Sequence, residues 1–227
     1  MAQCLRKGPA PVYTDESYLC DFEVWAFASY AYDMVQARFL ELGKEWPVTD
    51  ADKFELISLF MAQSYQESGT DKKRKDGTRY CGFNKNAQPY DHKNKCYMSS
   101  AYGCMQILKG TWEDIADRIL QLPASKRYGW ETHRHVPAVN FYYGIAYMFE
   151  MYLMDKAGSR SWDNALARFW GGGNGHKMAY GKKYAAMIRK WQKQWTDDMK
   201  TTYALGAPGF LLMMLPSMAI DMRREFK

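Results

Sequence analysis

Five cysteines in 227 residues are too few to build a disulfide framework. Cys4, Cys20 and Cys104 read as isolated thiols. Cys81 and Cys96 bracket a basic stretch and are the pair expected to bridge in an oxidising compartment, with unbonded thiols as the alternative. A metal site on Cys81, His92 and Cys96 lacks a fourth ligand and the paired spacing of zinc sites, so no metal or other cofactor is expected. Met1 to Val12 has no apolar core and carries two prolines, which excludes a secretory signal at this end. No segment sustains strand alternation, no repeat recurs, and no linker divides the chain. Tyr203 to Ile220 is uncharged, yet Gly206, Pro208, Gly209 and Pro216 interrupt it, which argues against an unbroken transmembrane helix.

Aromatic residues are plentiful: 8 Trp, 17 Tyr and 11 Phe offer stacking surface for sugar rings, although most are expected in the core. The periodicity is helical throughout and predicts an all-α fold. Thr14 caps a first helix running to about Leu42, with Trp25, Tyr32, Val35 and Phe39 on one stripe. A second helix runs from Thr49 or Asp50 to Glu67. Thr111 to Asp114 has capping-box spacing and opens a third; Val139 to Lys156 forms a fourth; Ser161 caps a fifth; the sixth runs from about Met178 to Tyr203.

The formal charge of +6 is concentrated. Between Asp71 and Lys95 eight Lys and Arg residues face three Asp, so nearly all of the excess lies in one stretch. Such a loop is a solvated surface, a contact for cell-wall or membrane anions, or a nucleic-acid contact; with no nucleic-acid motif present, nucleic acid is not expected as a partner.

Ile57, Phe60, Ser64 and Glu67 share a helical stripe, which turns the Glu67 carboxyl inward. An acid desolvated among apolar groups stays protonated near neutral pH and suits general-acid work. The alternative is a surface glutamate on a frayed last turn.

The surrounding segments narrow that choice. Gln66-Glu67-Ser68-Gly69 is followed by Gly103-Cys104-Met105-Gln106-Ile107, then by Asn140 with Gly144 and Tyr147, then by Ala165-Leu166-Ala167-Arg168-Phe169-Trp170-Gly171-Gly172-Gly173. In this order, over about residues 54 to 191, the chain resembles the catalytic domain of soluble-type lytic transglycosylases, relatives of goose-type lysozyme. Two features depart from that pattern. Phe169-Trp170-Gly171-Gly172 replaces the family's Tyr-Asn-Ala-Gly, removing the phenol that hydrogen-bonds the catalytic carboxylate in relatives, a part for which Tyr143 or Tyr184 is the expected substitute. The stretch from Gly69 to Met98 is much longer than the family's connection.

The resemblance implies a lysozyme-like helical domain over 49–203 with an insertion at 69–98, an N-terminal helical extension over 1–48 and a C-terminal docking tail over 204–227. It implies cleavage of the β-1,4 bond between N-acetylmuramic acid and N-acetylglucosamine, with Glu67 as acid and then base and a 1,6-anhydro product. Asp71 and Asp76 lie in the basic stretch, so no second carboxylate has an unambiguous place and hydrolysis is the less favoured outcome. Ser68 would orient the carboxylate or a substrate acetamide. Met105, Gln106, Phe169, Trp170 and Gly171 would line the sugar groove. A wall-cutting enzyme without a signal suggests a phage virion protein, acting in the host periplasm or wall, or cargo of a secretion machine. The tail would then dock on virion or secretion-apparatus proteins, touching a membrane without spanning it. The alternative is a mainly structural virion or secretion component with a weak or inactive glycan-binding domain.

Overall fold

The computed structural model describes residues 4–69 and 82–204. They form a mostly helical body with seven α-helices and a few very short strands. The helices are α1 (Asp21–Glu41), α2 (Lys53–Ser68), α3 (Lys109–Asp114, widening into a π turn over Ile115–Ile119), α4 (Trp130–His133), α5 (Pro137–Leu153), α6 (Trp162–Gly171) and α7 (Ala179–Ala204). No helix among these residues is long and apolar enough to cross a membrane. Residues 205–227, on which the docking-tail reading falls, lie outside the described residues, as do residues 70–81 with Asp71, Asp76 and most of the basic cluster.

The helix ends correct the sequence reading in three places. Helix α1 starts seven residues after Thr14, at a Cys20 cap where Glu23 reaches back to the Cys20 N–H at 2.7 Å. Helix α3 opens after Leu108 without a side-chain cap, so Thr111 sits inside it. Helix α5 begins at Pro137, whose missing N–H costs nothing in a first turn. Ser161 does cap α6, its hydroxyl accepting the Asp163 N–H at 3.2 Å.

Helix α5 is the centre of the body, because both its faces are apolar and it is buried along nearly its whole length. Phe149 gathers rings from several elements: Trp46 stacks on it at 4.1 Å, and Trp162 and Tyr32 meet it edge-on at 5.2 and 5.9 Å. The segment read as an N-terminal extension is part of this core, since Val24, Tyr32, Val35 and Phe39 of α1 are buried against α5 and α2. Helix α7 lies antiparallel along α2: Tyr184 reaches Glu67 at one end, and Gln192 donates to the Glu55 carbonyl at the other.

Five two-residue strands escape the sequence reading, because two residues cannot display alternation. They are β1 (Arg6–Lys7), β2 (Tyr18–Leu19), β3 (Phe83–Asn84), β4 (Tyr90–Asp91) and β5 (Cys96–Tyr97). Strand β5 pairs antiparallel with β1 and β4, and β2 with β3, so the described part of the insertion is sewn to the N-terminal segment. The expected Cys81–Cys96 bridge is replaced by Cys4–Cys96, because the β1–β5 register brings residue 4 within 5.7 Å, Cα to Cα, of Cys96. Cys20, read as an isolated thiol, is also disulfide-bonded, whereas Cys104 is a buried thiol whose pKa burial raises to about 12. With Cys96 oxidised, the Cys81/His92/Cys96 metal set loses a ligand. No group of metal-ligating side chains occurs among the described residues.

The Gly103–Ile107 motif has a structural cause. Gly103 takes φ +82°, and a Cβ there would sit 2.4 Å from the Asn140 amide. That amide donates to the Tyr102 and Arg134 carbonyls, both at 3.1 Å, while its oxygen accepts the Met105 N–H at 2.7 Å. Gly144, one turn along α5, leaves room for Met105. Gly103→Ala is therefore expected to lose roughly 2 kcal/mol or more through left-handed strain and collision with Asn140, read as a lower urea midpoint at unchanged slope.

Candidate functional site

A cleft of about 410 Å³ lies at the C-terminal end of α2, walled also by the end of α6 and by residues 106–108. Glu67 forms part of its wall, together with Gln106, Phe169, Trp170, Gly172 and the stretch around Ile107 and Leu108. Pro89, Ser99, Ala101, Thr111 and Tyr147 complete it. Glu67 is the single carboxylate among the described residues that line the cleft.

Desolvation raises the Glu67 pKa to about 7, against a smaller lowering by Tyr184. The Tyr184 hydroxyl donates to Glu67 Oε1, and the ring is buried. Among the described residues Oε2 has no such partner, which leaves it free to carry the acid proton. The carboxyl is thus held on one oxygen by Tyr184 while it lines the cleft, and burial shifts its ordinary range up toward neutral pH. Burial and the nearby carboxylate push the Tyr184 phenol well above its usual range, so it remains a donor.

The sequence-predicted residues divide into those that reach this cleft and those that do not. Gln106 reaches it with φ +47°, a conformation its side chain holds by donating to the Ala87 and Gly103 carbonyls, both at 2.8 Å. Phe169 packs on Tyr147 at 5.4 Å, and Trp170 stands half-exposed at the rim, edge-on to Tyr180 and 6.1 Å from the Tyr184 ring. Gly171 ends α6, and its neighbour Gly172, with φ +70°, lines the cleft instead.

Three residues are placed elsewhere. Met105 is fully buried against Gly144, because the turn that presents Gln106 must point the preceding side chain the other way. Ser68 donates to the Ser64 carbonyl at 2.8 Å, the back-bond a buried helical serine makes when no other acceptor is near. Tyr143 is fully buried, stacked on Trp112 at 4.1 Å, with its hydroxyl accepting the Tyr128 N–H at 3.3 Å. Of the two tyrosines considered, Tyr184 is the one on Glu67.

Four contributors carried little signal. Pro89 and Ser99 come from a segment without periodicity. Thr111 looked like a cap. Tyr147 was part of the α5 motif, and its spacing three residues beyond Gly144 was the clue that it turns toward the cleft.

The architecture behind the rim is a buried ion pair. Arg168, 4% exposed, donates to Asp155 at 2.6 Å, to the Met151 carbonyl at 3.2 Å and to the Gly173 carbonyl at 3.3 Å. It ties the turn after α6, with Trp170 and Gly172, to the end of α5. The guanidinium beside Asp155 holds that carboxyl down at about 2.

Removing the Tyr184 hydroxyl removes a donor to the charged form of Glu67. Tyr184→Phe is accordingly expected to raise the Glu67 pKa further, seen by titration of the carboxyl with 13C-labelled glutamate in the folded protein; an unchanged or lower value would contradict the geometry. No family model, curated protein or solved structure matches the chain.

Proposed function

We propose that the chain is a peptidoglycan lytic transglycosylase built on a lysozyme-like helical domain. The observation that carries this reading is a lone carboxyl in an aromatic-rimmed cleft, desolvated to a pKa of about 7 and gripped on one oxygen by Tyr184. Glu67 gives the Oε2 proton to the glycosidic oxygen as the C1–O bond breaks, and the leaving sugar departs with that proton as a hydroxyl. Positive charge develops at C1 of the muramic acid, and the 6-hydroxyl of the same sugar closes on it. The hydroxyl proton passes to the Glu67 carboxylate, which restores the acid and leaves a 1,6-anhydro end. No water and no second carboxylate are consumed, in keeping with a cleft where Glu67 stands as the single acid among the described lining residues.

Trp170 offers a flat apolar face to a sugar ring, and Gln106 and Ser99 offer hydrogen bonds to its substituents. The Cys4–Cys96 bond supports a place of action outside a reducing cytoplasm. Delivery by a phage particle or a secretion machine, through residues 204–227, is the route we propose.

Digestion of purified peptidoglycan, with the released muropeptides weighed by mass spectrometry, tests the assignment. Anhydro ends are expected. Reducing ends would make the enzyme a hydrolase, and no release would remove the catalytic reading.

A further inference from the structure

Beside the cleft lies a second cavity of about 340 Å³, and Ser99 and Ala101 line both. Its walls differ in kind. Arg6, Lys109 and Arg134 stand around it with one acid, Glu131, and aromatic backing from Tyr97, Tyr102 and Trp130.

The cations are set rather than loose. The Arg134 guanidinium lies 4.7 Å from the Tyr102 ring centroid and 5.6 Å from that of Trp130, and Arg6 lies 3.9 Å over Tyr97. Arg6 owes its place to β1: Cys4 is bonded to Cys96, Leu5 donates to the Tyr97 carbonyl at 2.8 Å, and beyond β1 the Tyr90 and Tyr97 hydroxyls hold the Gly8 and Pro9 carbonyls. Glu131 already engages Arg134 at 3.0 Å and Lys109 at 3.9 Å. Among the described residues Arg6 makes no ion pair, so its fork of N–H donors is open to a ligand.

We propose that this cavity is a subsite for the carboxylates of an acidic peptide branch carried by the glycan strand whose sugars occupy the cleft. The inference rests on the lyase reading for the identity of the strand. A neutral sugar would gain little from three cations, whereas a peptide carboxylate meets the planar fork of Arg6 in two parallel bonds, with Lys109 and Arg134 as second contacts. The shared wall at Ser99 and Ala101 puts branch and sugar within reach of one substrate. The pocket therefore selects strands that still bear their peptides.

The test uses the full chain carrying Glu67→Gln, so that ligands survive. Binding is measured by calorimetry at low salt for three probes: a peptide-bearing tetrasaccharide, the same tetrasaccharide stripped of peptide, and the free peptide. The peptide-bearing strand is expected to bind roughly 10-fold more tightly than the stripped one, the yield of one bidentate charge pair. Adding Arg6→Gln should erase most of that difference while leaving the stripped strand's affinity and the melting temperature unchanged. Arg6→Lys should keep part of it. Equal affinities for the two strands, or a difference that Arg6→Gln does not touch, would overturn the subsite and leave the lyase reading standing. Free peptide held in an Arg6-dependent way, with neither glycan bound, would sustain the subsite for acidic peptides and overturn the lyase reading.

Discussion

Glu67→Gln is expected to abolish wall cleavage and, at alkaline pH, to make the protein more stable. The amide keeps the shape and can still accept the Tyr184 hydroxyl, but it cannot deliver a proton, and that help is worth about two to four powers of ten in rate. The stability effect has a definite sign. The folded pKa of about 7 lies above the ordinary value of 4.5, so the folded chain binds the extra proton. Its contribution is complete below pH 4.5 and is lost as pH rises through 7. Above that point an ionised Glu67 weighs against folding by about 2 kcal/mol, taking the full shift and allowing for the carboxyl's partial opening to the cleft. Urea midpoints of the two proteins should therefore coincide near pH 4 and diverge by pH 8 in favour of the variant. A variant that digests peptidoglycan at the parental rate, or is no more stable at pH 8, would remove Glu67 as a desolvated acid.

Arg168→Ala should be the most damaging change away from the cleft. The substitution leaves Asp155 without its cation and the Met151 and Gly173 carbonyls without their donors, at a cost of about 3–5 kcal/mol. The linkage runs opposite to that of Glu67. Asp155 is held at about 2, below its ordinary value of 3.8, so the pair stabilises the fold above pH 3.8 and the gain disappears as pH falls toward 2. Parent and variant should consequently approach each other in stability at acid pH, keeping the difference due to the two lost carbonyl bonds. Because Arg168 also anchors the end of α6 with Trp170 and the following turn with Gly172, glycan binding should weaken in the variant even where it remains folded. Retained stability at neutral pH would show that the pair contributes only its shape.

The sequence by itself determined the longer helices, though not four-residue α4, because a 3.6-residue apolar period persists wherever one face is buried, as Trp25, Tyr32, Val35 and Phe39 show in α1. It also placed Glu67 in the last turn of α2 on an inward stripe and marked Gly103, Asn140 and Gly144 as motif positions, whereas the three-bond amide and the close approaches that join them are long-range contacts of the fold. Only the tertiary structure decided which tyrosine replaces the missing phenol. Tyr143 and Tyr184 are both candidates in sequence, but the antiparallel packing of α7 on α2 takes one to Glu67, and the stack on Trp112 takes the other away. The two-residue strands and the Cys4–Cys96 bond were likewise beyond pattern, because pairing between residues 92 positions apart is set by the register of separate segments rather than by neighbours along the chain. The second cavity depends on the same long-range pairing. Arg6 is an ordinary exposed cation in sequence, and becomes a candidate ligand only because β1 is stitched beside Tyr97, where two remote segments meet and local preference says nothing.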